Sequence, residues 1–281
     1  MLKTFADADE FLRAVGPTLE EHEAEHHLLL GVATALQGAK PSVVRPFFAA
    51  VSDGSGLALA ALLTPARPLL LASDRDEIET ALEQLWEGLT ATGQRPEKVL
   101  GTMHHADAFV SGWQRRTGCA TGLSMRQRLY VVTDVRDVPM VPGALRQATV
   151  GDHELVADWR MAFVREAFGE SSADGEREIA KQRIAAGDVF LWADDEPRSM
   201  AGRARPTTRG IAINAVYTPP ECRGRGYATA CVAALSARLL DEGRQFCVLY
   251  TDLANPTSNA IYTRIGYQPV RDFALYSLTA D

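Results

Sequence analysis

The sequence predicts an α/β fold of the α+β kind, two domains in tandem, each a mixed central sheet flanked by helices, and three observations carry that expectation. The chain has 281 residues with 46% hydrophobic content, enough to bury two ordinary cores. Short apolar runs bounded by turn residues alternate with amphipathic stretches throughout. The order of those runs in the first half returns, faintly, in the second.

In the first half a helical start runs through Leu36, with Glu20 to Leu36 its clearest stretch. Strands follow at Phe47 to Val51, Leu57 to Leu63 and Pro68 to Ala72, then a helix from Asp76 to Leu89 and a strand at Lys98 to Gly101. Gly112 to Cys119 and the strand at Met125 to Thr133 close this half, and His104-His105 reads as an exposed helix start. A polar, proline-bearing stretch from Asp134 to Gly143 is the join, which sets domains at 1–138 and 139–281.

The second half opens with a strand at Ala144 to Ala148, and Asp152 caps a helix through Trp159, Phe163 and Phe168. A polar helix spans Asp174 to Ala186. Val189 to Ala193 is a strand, Asp194 to Arg198 a turn, and Ser199 to Arg205 and Gly210 to Tyr217 the next two strands. Thr229 to Leu240, apolar at Cys231, Val232, Leu235, Leu239 and Leu240, is an amphipathic helix. Gln245 to Thr251 is a buried strand, and Phe273 to Leu278 closes the sheet. An antiparallel meander feeding a helix and a parallel pair gives a mixed sheet with helices on both faces.

The chemistry concentrates where the Gly210 to Tyr217 strand runs through Thr218-Pro219-Pro220-Glu221-Cys222 into Arg223-Gly224-Arg225-Gly226-Tyr227-Ala228-Thr229 and on into a helix. Glycines at 224 and 226 let successive N–H groups turn toward one anion, and the amides and dipole of a helix start favour negative charge. Pyrophosphate is the expected guest. A nucleotide-hydrolase loop would end in Gly-Lys-Ser/Thr, and a dinucleotide fingerprint would put a third glycine at Thr229; neither holds. Further on, Asn255, Tyr262, Gly266 and Tyr267 follow a buried strand in the order turn, helix, helix end, aromatic.

The pattern Arg-x-x-Gly-x-Gly/Ala at Arg223 to Ala228, together with Asn255, Tyr262, Gly266 and Tyr267, resembles the GNAT superfamily of N-acetyltransferases. The resemblance covers roughly the last half of the chain and implies acetyl-CoA as co-substrate with no metal. Gly224, Arg225, Gly226, Tyr227, Ala228 and Thr229 would then bind its pyrophosphate, with Arg223 and Arg225 adding positive charge. Ala215, Val216 and Thr218 would offer backbone groups to the pantetheine arm, one N–H polarising the thioester carbonyl. Asn255 would orient the donor, and Tyr262 would protonate the leaving thiolate. The expected reaction is direct transfer of an acetyl group to a primary amine in a ternary complex.

Two departures qualify what the resemblance implies. Many family members carry a glutamate on the strand before the cradle, whereas Ile211 to Val216 holds no acid. Glu166, Asp194, Asp252 and Glu221 are the nearby alternatives, none of them assigned, and a desolvated amine can also lose its proton without a dedicated base. The first half echoes the second but carries Ser73-Asp74-Arg75-Asp76-Glu77 in place of a glycine cradle and Gln114 in place of Tyr262, so no donor is expected there. It reads as a degenerate GNAT-like domain that shapes the acceptor cleft or a subunit contact.

His22-Glu23-Ala24-Glu25-His26 matches the His-Glu-x-x-His zinc pattern, but no downstream ligand is patterned and the surroundings are acidic, which suits a solvated helix face. The net charge of -7 argues against a nucleic-acid surface and favours an amine acceptor, a small molecule or a peptide. Glu166, Phe168 and Trp192 are the residues placed to line its pocket. Four cysteines without paired spacing, no run able to span a bilayer and no export signal predict a reduced, cytoplasmic chain without a membrane partner. Exposed strand edges suit a homodimer. The alternative function is an acyl-CoA-binding regulatory or sensor module without turnover.

Overall fold

The structure is a computed structural model that describes residues 1–38, 45–169 and 173–279. The repeat read from the sequence is a structural one. The first half runs β1 (Leu2–Phe5), α1 (Ala8–Leu19), α2 (Glu23–Ala35), β2 (Phe47–Asp53), β3 (Gly56–Leu63), β4 (Leu69–Ala72), α3 (Glu79–Ala91), β5 (Lys98–Thr102), α4 (Met103–Thr117) and β6 (Ala120–Val132). The second repeats that order as β7 (Ala144–Gln147), α5 (His153–Phe168), α6 (Ala173–Ala185), β8 (Val189–Asp194), β9 (Glu196–Ala204), β10 (Gly210–Tyr217), α7 (Tyr227–Asp241), β11 (Phe246–Asp252), α8 (Pro256–Ile265) and β12 (Gln268–Thr279). The echo of Gly118 and Gly266 has a shared cause: each sits at the end of its helix with φ of 72° and 114°, the left-handed region in which glycine escapes a Cβ clash.

All strands join one 12-stranded sheet in the order β1-β2-β3-β4-β5-β12-β6-β11-β10-β9-β8-β7. Its centre is shared. β12, from the second half, pairs antiparallel with β5 of the first, while β6, from the first half, pairs antiparallel with β11 of the second, and β6 and β12 pair with each other. The last strands are therefore exchanged: β12 lies against β5 of the first half and β6 against β11 of the second. A bidentate pair, Arg128 Nε to Asp272 Oδ1 at 2.6 Å and Nη2 to Oδ2 at 2.8 Å, ties β6 to β12.

Successive residues of β10 and β11 face opposite sides, as the strand period requires. On one face Ile211, Ile213, Cys247 and Leu249 pack with Cys231, Val232 and Leu235 of α7. On the other, Ala212, Phe246 and Val248 pack with Leu29 and Leu30 of α2, so a helix from the first half covers the sheet of the second. Gly31 makes this crossing close: a Cβ there would stand 2.7 Å from Cβ of Arg205. Glu23 anchors it. The buried carboxylate accepts from Thr207 Oγ1 at 2.6 Å, from the Arg209 backbone at 2.8 Å and Nε at 2.7 Å, and from the Gly210 amide at 3.1 Å. Burial pushes its pKa up, but these donors outweigh burial and hold it below the ordinary value. Glu23→Ala is expected to cost about 3 kcal/mol in urea unfolding, because it removes the acceptor of two buried donors, Thr207 Oγ1 and the Gly210 amide, and the partner of the Arg209 charge at once.

Several sequence expectations change here. β1 and a separate α1, capped by Asp7 through the Glu10 amide at 2.8 Å, were not resolved in the pattern as distinct elements. His105 is buried and its Nε2 meets the Arg75 carbonyl at 2.7 Å, which corrects the reading of an exposed helix start. The join packs closely on the second half, with the Arg136 amide on the Ile265 carbonyl at 2.8 Å.

Candidate active site

β10 and β11 lie parallel only over Gly210, Ile211 and Ala212, opposite Phe246, Cys247 and Val248; beyond that they part. The cause is a bulge in β10 between Asn214 and Tyr217, where Ala215 takes φ of 49°. A left-handed alanine costs about 1 kcal/mol or more, which is why such a residue marks a built irregularity. The wedge frees backbone groups of the predicted donor residues Ala215 and Val216 from the ladder.

The wedge leads to the cradle. Pro220–Cys222 form one short turn, Gly224 and Gly226 follow with φ of 75° and 86°, and α7 starts at Tyr227. A Cβ on Gly224 would meet nothing within 4 Å, and one on Gly226 would stand 3.0 Å from Val141 of the join. Among the described residues the amides of Gly224 to Thr229 donate to no protein acceptor. Six N–H groups thus gather at an exposed helix start, which fits a pyrophosphate. Tyr227 has a second duty, since its buried side chain donates to Asp194 Oδ2 at 3.1 Å and fixes α7 against β8.

Arg223 is already engaged. Its Nε donates to the Thr218 carbonyl at 2.9 Å, its Nη2 reaches both oxygens of Glu166 at 2.8 Å, and its guanidinium lies 5.7 Å from the Tyr217 ring centre. The Thr218 carbonyl is therefore occupied by protein, while its hydroxyl meets Ser199 at 2.8 Å. Arg225 is exposed beside the glycines.

Tyr262 shares one buried cluster with Ile213 and Val232, against which Val216 packs, and its helix α8 lies against α7 and β11. Its ring lies 6.4 Å from Tyr130 and 6.0 Å from Tyr267, whose own hydroxyl pairs with Ser236 at 2.9 Å. Burial pushes the Tyr262 pKa up to about 12, which holds the phenol neutral. Asn255 is the N-cap of α8: its Oδ1 accepts the Ser258 amide at 3.0 Å.

The acids weighed as bases are committed elsewhere or exposed. Glu166 holds Arg223, Asp194 accepts from Tyr227, Asp252 Oδ1 accepts the Ala254 amide at 2.8 Å, and Glu221 is exposed. Trp192 packs on the α7 face, its indole N–H donating to the Pro142 carbonyl at 2.8 Å, away from α5 and α6. The side chain of Phe168 lies outside the described residues. In the zinc-like segment Glu23 is consumed by Arg209, His26 Nε2 meets Asp74 at 2.8 Å, and His22 precedes α2 with φ of -116°. In the first half, Arg75 pairs with Asp53 of β2, Ser73 Oγ donates to the Ala58 carbonyl of β3 at 2.7 Å and Asp74 meets His26 of α2, so the loop after β4 is tied down by its neighbours. Two features escaped the sequence: the bulge at Ala215, and Tyr130, which the first half lends to this site.

The FR47-like protein family matches residues 193–274, the span from β8 to β12 that holds the wedge, the cradle and α8. No curated protein sequence matches the chain. Among solved structures it is similar to a GCN5-related N-acetyltransferase from Sphaerobacter thermophilus, at 16% identity and a TM-score of 0.61 over 98% of this chain and 94% of that one. It is similar to a tandem GNAT protein from the clavulanic acid biosynthesis pathway, at 13% identity and a TM-score of 0.57 over 100% and 99%. A GNAT-family acetyltransferase from Colwellia psychrerythraea aligns at 9% identity and a TM-score of 0.58 over the full length of both. At such identities the likeness speaks for the fold.

Proposed function

Starting from a chain that has the GNAT fold in tandem, we propose that its second half is an N-acyltransferase that moves an acetyl group from acetyl-CoA to a primary amine. The observation that carries this reading is the conjunction of a parted β10–β11 pair, six amides leading into α7 without a protein acceptor among the described residues, and a neutral tyrosine on α8, which lies against α7 and β11. Acetyl-CoA supplies an activated thioester. The amides from Gly224 to Thr229 bind its anionic pyrophosphate, with Arg225 adding charge, and the freed backbone of Ala215 and Val216 lines its arm. Asn255 serves by fixing the start of α8 more than by direct contact, since its side-chain oxygen is spent on Ser258.

As the amine nitrogen adds to the carbonyl and the carbon–sulfur bond breaks, Tyr262 hydrogen-bonds the sulfur and gives up its proton. The proton shed by the nitrogen then restores the phenol. A phenol held near pKa 12 resists full ionisation, so its largest contribution is as a donor to developing charge. No carboxylate is assigned as base; an amine desolvated in the cleft enters as the free base.

Calorimetric titration with acetyl-CoA tests the donor site. The wild type is expected to bind in the micromolar range, and a folded protein carrying Gly224→Glu and Gly226→Glu to bind at least about a hundredfold more weakly, since two carboxylates would repel the pyrophosphate at close range. Absence of binding to the wild type would sink the reading. Release of free CoA with spermidine, an aminoglycoside, free amino acids or a peptide with a free amino terminus then separates the enzyme from the sensor, which binds without turnover.

A further inference from the structure

We propose that Tyr130, on the strand that the first half lays against β11, is a positioning residue for Tyr262. The inference rests on the reading of Tyr262 as the group that meets the leaving sulfur. β6 inserts between β11 and β12 with Tyr130 opposite Leu249 on one side and Pro269 on the other, and its side chain is buried on the α8 side of the sheet. The hydroxyl donates to Asn259 Oδ1 at 3.0 Å. The Nδ2 of Asn259 in turn donates to the carbonyls of Asp252 at 3.1 Å and Asn255 at 2.7 Å, the two ends of the turn between β11 and α8. One hydrogen-bond chain thus runs from a strand of the first half through a carboxamide to the turn that sets where α8 begins.

Asn259 and Tyr262 are three residues apart on α8 and share a face. The Tyr130 ring covers that face and meets the Tyr262 ring at 6.4 Å with planes tilted by 53°. On the other side Tyr262 meets Tyr267, itself held by Ser236. Tyr262 stands between two aromatic walls, each fixed by a hydroxyl, and one of the walls belongs to the other half. A reacting group displaced by about 1 Å loses up to about a hundredfold in rate, so a bond that sets the pitch and seat of α8 acts on turnover without touching substrate.

Tyr130→Phe keeps the ring and removes the hydroxyl's bond to Asn259, together with its weaker interaction with the Arg128 guanidinium, which stays paired with Asp272. The expected result is a kcat lowered about tenfold, with KM for acetyl-CoA within twofold and a thermal midpoint within a few degrees. In a Tyr262→Phe background the same substitution is expected to cost nothing more, because its effect runs through Tyr262. An equal loss in both backgrounds, or no loss in the first, overturns the proposal. A second readout does not depend on turnover. With 3-fluorotyrosine incorporated, the 19F resonance assigned to Tyr262 by its absence in Tyr262→Phe is expected to shift or broaden in Tyr130→Phe, and an unmoved resonance overturns the proposal whatever the activity. Full turnover in Tyr262→Phe would instead remove the acid reading itself.

Discussion

Tyr262→Phe is expected to slow CoA release about a hundredfold while leaving acetyl-CoA affinity within twofold. The split follows from where the phenol sits. It packs in the cluster with Ile213 and Val232 and is not among the amides proposed for the pyrophosphate, so its hydroxyl is expected to contribute where charge develops on sulfur and little to ground-state binding. Phenylalanine preserves the contacts with Tyr130 and Tyr267, so stability should scarcely change. Steady-state thiol detection with the best acceptor, paired with calorimetry on the same preparation, checks both halves of the expectation. A fall in affinity matching the fall in rate would move Tyr262 from the chemistry to the architecture.

Acid should unfold the protein through His27. The ring is fully buried in α2, edge-on to Phe246 at 6.4 Å, and its one polar neighbour among the described residues is the Arg205 backbone, too poorly placed for a well-formed hydrogen bond. Burial, reinforced by the nearby Arg205 charge, drives its pKa from 6.5 down to about 3. In the unfolded chain the same ring takes up a proton near pH 6.5, so between these values the unfolded state binds more protons and stability falls as the pH falls. Each pH unit in that window costs about 1.4 kcal/mol, and going from pH 7.5 to pH 5 removes about 2 kcal/mol through this residue. Lowered carboxylates such as Glu23 and Asp152 act only further down, below their ordinary values near 4. Urea unfolding at the two pH values should show the loss in the wild type and a much flatter response in His27→Leu. His105, lowered by burial in the same direction, supplies the remaining slope. An undiminished loss in His27→Leu would assign the acid sensitivity elsewhere.

Much of the fold was legible because its second half follows local rules. The strand from Gly210, the glycines at 224 and 226 and the Asn255 to Tyr267 stretch are sequence-local devices, and the structure has them on adjoining elements. What was hidden is non-local. Ala215 is an ordinary strand residue by composition, and only its ladder partners reveal the bulge that parts β10 from β11. Tyr130 sits in an apolar run indistinguishable from any buried strand, and its meeting with α8 depends on β6 crossing into the second half's sheet. Glu166 and Arg223 lie far apart in sequence, so their bidentate contact could not be read from spacing. His22 to His26 read as a solvated helix face because its composition is acidic, and nothing in the spacing shows that Glu23 and His26 are buried against Arg209 and Asp74.

The order β5-β12-β6-β11 also constrains when the molecule can be finished. β12 comes after every other strand in the chain, yet it occupies the place between β5 and β6, which are separated from each other only by α4. During synthesis the first half emerges whole but with the slot beside β5 vacant, its pairing groups waiting on a strand still untranslated. Until then the inner edge of β5 and both edges of β6 lack their partners, open to mispairing for as long as translation of the second half lasts. Slow codons placed after β6 would lengthen that exposure, and fast ones would shorten it.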